Sequence, residues 1–98
     1  MLILNIETQR ENLYARLEGK LTRKETYQLE HYVIPYIKKN KIKNFICDCK
    51  DLRKIDLEGK HALLKTKVVL KKQKGTFLLC DVKESIKKEL LGYRMRIQ

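Results

Sequence analysis

The chain is poor in the residues that break, link or switch a fold. It has four glycines and one proline in 98 residues. The glycines never cluster, so no loop is built to cradle phosphate, and no Gly/Ser/Pro stretch reads as a linker. Serine occurs once, as Ser85. The three cysteines, Cys47, Cys49 and Cys80, are odd in number and lie inside apolar runs. They fit a reducing compartment and read as small buried hydrophobes. A Cys-x-Cys pair with one distant cysteine supplies no fourth ligand, so neither a metal nor another cofactor is expected. Long apolar runs are also missing. Met1–Ile6 is too short to span a bilayer and lacks the basic flank and cleavage site of a leader. A cytoplasmic protein without membrane insertion is the expectation.

Positive charge is abundant. Lys and Arg number 23 against 12 Asp and Glu, a net charge of +11. That balance favours acidic partners: a protein surface, nucleic acid or anionic lipid. The positives are scattered, with no helix-turn-helix pattern and no basic-aromatic sheet face, which disfavours nucleic acid. Apolar residues make up 43% and charged residues 36%, a globular rather than a disordered balance. A chain this long is expected to form one domain, residues 1–98, with one modest core.

Periodicity supplies the elements. Leu2, Leu4 and Ile6 alternate with polar or outward positions, as do Leu13, Ala15 and Leu17, which predicts an antiparallel hairpin turning over Thr8–Asn12. Thr22-Arg-Lys-Glu25 reads as a capping box opening a helix over about 23–39, with Leu29, Val33 and Ile37 inward and a kink or early end at Pro35. Asn44–Cys49 is a buried strand. After a short acidic loop, a second helix opens at Asp56–Glu58 and runs to about Lys74. Ala62, Leu63, Val69 and Leu70 form its inner face and Gly75 its cap. Thr76–Cys80 is the next buried strand. A third helix over 81–91 turns Ile86, Leu90 and Leu91 inward, and Tyr93–Ile97 reads as a charged edge strand. The order β-β-α-β-α-β-α-β requires a mixed sheet, because crossovers join parallel neighbours and hairpins antiparallel ones.

The order and its motifs resemble the STAS domain, the fold of anti-anti-sigma factors, over nearly the full chain. Leu17-Glu-Gly19-Lys-Leu21 is similar to the family's strand-ending Leu-x-Gly-x-Leu. Asn44–Asp48 resembles its central strand ending in Asp. Ile55-Asp56-Leu57-Glu58-Gly59 resembles its Asp-Ser-Ser-Gly switch, and Lys74–Val82 its Gly, apolar strand and Asp-Val turn. The resemblance implies a non-enzymatic signalling module, with no catalytic residues, that regulates transcription through protein–protein contact. Its partner would be an anti-sigma factor of the serine-kinase type. In the family, the switch serine accepts phosphate from that kinase, and phosphorylation breaks the complex. Here Glu58 stands at the phosphoacceptor position and Leu57 at the preceding serine, while Lys60 and His61 replace an apolar and a small residue. Glu58 carries about −1 at a helix start, against roughly −1.5 to −2 for phosphoserine. It then either imitates the phosphorylated state permanently, contacts a different and basic-surfaced partner, or serves only as a good first-turn residue. The expected partner surface is Asp56, Leu57, Glu58, Gly59, Lys60 and His61, continued by Leu64 and Lys67 along a stripe that includes Lys71 and Lys74. The same fold could also serve as a regulatory subunit of an ABC-transporter ATPase or a stressosome-like scaffold.

Two chemical readings are weaker. Asp48, Asp51, Asp56 and Glu58 suggest a phosphoaspartate receiver, but the first strand leads into a hairpin rather than a helix. Cys49 or Cys80 with His61 suggests a thiol–imidazole pair, but no third group orients it.

Overall fold

The computed structural model describes residues 1–98. Four strands form one mixed sheet in the order β1-β2-β3-β4. β1 (Leu2–Gln9) and β2 (Asn12–Leu21) pair antiparallel; β3 (Asn44–Ile55) and β4 (Thr76–Cys80) join in parallel. The α/β class and mixed sheet follow the crossover argument. Along β2, Leu13, Ala15, Leu17, Gly19 and Leu21 are buried while Tyr14, Arg16, Glu18 and Lys20 are exposed. The helices therefore cover one face of the sheet and leave the other open. Phe45 and Phe77, paired across β3 and β4, stack with ring centroids 5.4 Å apart at the centre of the core.

The first helical segment is not one continuous α-helix. A 3₁₀ turn at Arg23–Glu25 leads to a π-wound segment, Gln28–Val33, and then to α1 (Ile34–Lys39). Pro35 has no N–H to give and its ring crowds the preceding turn, so the wider winding lies just before it. Leu29, Val33 and Ile37 recur every four residues, slower than the 3.6 of an α-helix. The wider winding absorbs that lag, and all three remain fully buried. At the start of this segment, the Glu25 carboxylate accepts hydrogen bonds from both the backbone N–H and the hydroxyl of Thr22.

Four further expectations need correction. β3 does not stop at Cys49: Lys50–Ile55 is strand, and only Asp56 separates it from α2 (Leu57–Lys72). Two register shifts against β2 carry the strand on, so the buried residues Cys49, Leu52 and Ile55 fall three apart rather than two. Gly75 does not supply the left-handed cap of α2. Lys74 does, at φ 59°. The N–H groups of Lys74 and Gly75 return to the carbonyls of Lys71 and Leu70 in a Schellman closure. Gly75 is needed because a Cβ there would stand 2.2 Å from the Lys43 carbonyl oxygen.

At the C-terminus, α3 (Glu84–Glu89) is shorter than expected, and Leu91 is 76% exposed because the chain turns away at Gly92, φ 88°. The final edge strand is reduced to one parallel bridge between Leu79 and Ile97. Met95 and Ile97 still pack against the core.

Candidate functional site

Asp56 is where the chain leaves the sheet and enters α2. One oxygen of its carboxylate accepts from Gly59 N–H at 2.8 Å, capping α2. The other accepts from Arg23 N–H at 2.9 Å, at the first residue of the 3₁₀ turn. A single side chain thus satisfies the starts of two helical segments and locks them together. Removing it leaves two orphan donors. Asp56→Ala is expected to cost roughly 2–3 kcal/mol by urea unfolding, while Asp56→Asn, which keeps one accepting oxygen and turns its NH2 toward the second N–H, is expected to cost roughly 1–2 kcal/mol. Equal losses for the two would show that charge, not capping, matters.

The first turn of α2 lies tight against the end of β2. A Cβ at Gly59 would come within 2.1 Å of the Leu21 carbonyl oxygen and 2.9 Å of Ile55 Cγ1. This fixes Leu57 and Glu58 on the outer side of the turn, where both are exposed. Glu58 takes part in none of the five ion pairs. Its carboxylate is free, at the positive end of a 16-residue helix.

The remaining residues of the expected partner surface divide into two groups. Lys60 and Lys67 are held within the fold. The Lys60 ammonium pairs with Glu89 at 2.8 Å and lies 6.0 Å from the Tyr93 ring centroid. The Lys67 ammonium donates to the backbone carbonyl of Arg94. Desolvation, with Lys71 and Arg94 nearby, lowers its pKa from the ordinary lysine value. Lys60 ties α2 to the end of α3 and Lys67 ties it to the segment that follows, contacts no local pattern in the sequence announces. His61 is exposed and Leu64 half-buried.

The face of α2 that remains free carries Leu57, His61, Leu64 and Val68, at i, i+4, i+7 and i+11. Leu57 is 53% and Val68 42% exposed. Beside it, Leu64, Val68 and Val69 of α2 face Ile34 and Lys38 across a shallow groove of about 360 Å³, with Lys65 at its rim. Val68 and Ile34 are the members that the sequence reading missed. The signal was present, since Leu57 and Val68 complete the helical spacing through Leu64.

The acidic residues do not converge. Asp51 pairs with Arg16, and the Asp48 carboxylate accepts from Lys50 N–H at 2.9 Å. Cys47 and Cys49 are buried under the sheet. The hydrogen bond from Cys49 and desolvation push the Cys47 thiol well above its ordinary range.

The model of the STAS domain family matches residues 4–94. The chain belongs to the STAS domain family. Among solved structures, the anti-sigma factor antagonist SpoIIAA in its unphosphorylated form superposes with a TM-score of 0.84 at 18% identity, over 98% of this chain and 87% of that one. The Bacillus cell fate determinant SpoIIAA in its phosphorylated form gives 0.80 at 21% identity, over 98% and 91%. A serine-to-glutamate variant of RsbS from Moorella thermoacetica gives 0.81 at 15% identity, over 97% and 85%. No curated protein sequence matches. This STAS domain thus shares the mixed sheet and packed helices of the antagonists, and it resembles them in fold over almost its whole length.

Proposed function

We propose that this STAS domain is a non-enzymatic protein-binding module of the anti-sigma factor antagonist type, whose binding is not governed by phosphorylation at the start of α2. The observation that carries the reading is the exposed face of Leu57, Glu58, His61, Leu64 and Val68, unpartnered beside an apolar groove. Three exposed or half-exposed aliphatic side chains in helical register on a chain with 36% charged residues form a natural docking seam.

Glu58 supplies a permanent carboxylate at the rim of that seam. The resemblance places a phosphorylatable serine at this position, and a glutamate side chain offers no hydroxyl to accept phosphate. With its carboxylate unpaired, Glu58 is read as a contact for a cation of the partner rather than as an internal brace. The partner is then an anti-sigma factor related to serine kinases, bound without the phosphate cycle.

Affinity purification from the native organism tests this with wild type and Glu58→Ser. Wild type is expected to recover one dominant partner, and Glu58→Ser to recover less of it, and less still once ATP is present. Identical recovery under all conditions would show that residue 58 takes no part in partner choice.

A further inference from the structure

We infer that the end of this domain opposite Glu58 is a docking surface for an anionic lipid bilayer. The turn between β1 and β2, the loop from α1 to β3 and the loop from α2 to β4 interlock there. The N–H groups of Lys43 and Asn44 donate to the Glu11 carbonyl, and that of Thr76 donates to the Lys43 carbonyl. The Gln73 amide donates to the carbonyls of Ile37 and Ile42. The three connections therefore form one surface.

That surface is strongly basic. The last turns of α1 and α2 bring Lys38, Lys39, Lys71 and Lys72. The connections bring Arg10, Lys41, Lys43 and Lys74. All but Lys43 are exposed, and none takes part in an ion pair. Glu11 is the one carboxylate in these turns. Around its side, Lys67 and Lys71 face Arg94 and Arg96 across a cleft of about 230 Å³ that no carboxylate lines. Much of the chain's net charge of +11 is thus gathered at one end.

Helix C-termini attract cations, which accounts for the four lysines of α1 and α2. It does not account for the connections. Arg10, Lys41 and Lys74 occupy left-handed backbone positions, at φ 56°, 50° and 59°. Glycine or asparagine adopts that conformation at less cost. All three turns instead carry a long cation, and all three aim it at the same end.

The chemistry favours a bilayer over a nucleic acid. Lysines outnumber arginine by seven to one among these eight residues, and by eight to three with the flanking cleft included. Nucleic-acid sites draw on guanidinium forks and stacking platforms. A cluster of four to eight mobile ammonium groups is the pattern that reads a plane of anionic headgroups. The surface also lies at the far end of α2, where Lys72 is about 21 Å from Glu58 at 1.5 Å per residue. A domain lying on lipid by this end presents its α2 entrance outward, free for a partner.

Co-sedimentation of the full chain with phosphatidylcholine vesicles, with and without phosphatidylglycerol, tests the inference. Binding is expected only with phosphatidylglycerol, and it should fall at least about tenfold as salt rises from low to physiological strength. The variant Lys41→Glu/Lys72→Glu/Lys74→Glu should lose at least about tenfold in binding while still unfolding in one cooperative transition, with a melting temperature lowered by no more than about 10 °C. A control reversal at the opposite end, Lys24→Glu/Arg53→Glu/Lys54→Glu, should retain most of it. No binding of wild type to anionic vesicles at low salt overturns the proposal, as does equal loss in the two variants. Binding of labelled duplex DNA without vesicle binding would assign the surface to nucleic acid instead. None of these readouts depends on the protein partner at Glu58.

Discussion

Gly59→Ala is expected to destabilise the domain by about 3 kcal/mol, lowering its melting temperature by roughly 10–20 °C. Alanine is the better helix former, and that preference alone would favour the variant by about 1 kcal/mol. The opposing contact is larger. The new methyl would sit 2.1 Å from a backbone oxygen at Leu21, where no flexible side chain can move aside. Relief requires α2 to withdraw from β2. Withdrawal breaks the Asp56 N–H bond to Leu21, strains the Asp56 bond to Gly59 and opens the packing of Ile55. Calorimetry or urea unfolding decides it. A variant as stable as wild type would mean that the first turn of α2 is not seated as described.

Leu64→Glu/Val68→Glu is expected to act in the opposite sense, sparing stability and removing binding. Leu64 is half-buried and Val68 is 42% exposed, both at the rim of the core, so the folded domain loses little, and the melting temperature should move by less than about 5 °C. At a docking seam, the same two changes place carboxylates where apolar contact is required. Interface anchors of this kind are worth about 2 kcal/mol or more, so affinity for the proposed anti-sigma factor partner should fall by at least roughly thirtyfold in calorimetric titration. Unchanged affinity would remove the seam from the interface and leave Glu58 without its apolar neighbours.

The sequence carried much of this architecture because local and global signals agreed. Asp56 as a capping residue with Glu58 in the first turn marks the helix entrance, and alternation in β1 and β2 with the apolar runs of β3 and β4 marks the sheet. Where the reading failed, a tertiary effect had overridden the local one. Lys50-Asp-Leu-Arg-Lys54 looks like a loop because it is charged. It is strand because β4 ends at Cys80 and pairs only with Asn44–Asp48, leaving the rest of β3 as an edge against the end of β2. Charged residues belong on such an edge. The register shifts also hide the alternation by spacing Cys49, Leu52 and Ile55 in threes. The lysine stripe failed for a different reason. Its members do share one side of α2, but Glu89 at the end of α3 holds Lys60 and the turn after α3 holds Lys67, which takes both out of the free surface. The helical spacing of Leu57, Leu64 and Val68 was in the sequence; that theirs is the side of α2 left free was legible only once α3 and that turn were placed.

The most direct test of the proposal that Glu58 is a fixed carboxylate in place of a phosphate switch uses the anti-sigma kinase proposed as its partner. Wild type and Glu58→Ser are each incubated with it, with and without ATP. Phosphate is then located by mass spectrometry and affinity measured on the same samples. Wild type should take up no phosphate between Asp56 and Lys60 and bind equally well either way, whereas Glu58→Ser should become phosphorylated at residue 58 and then bind more weakly. An ATP-dependent loss of binding by wild type, with phosphate found on another of its side chains, would contradict the account.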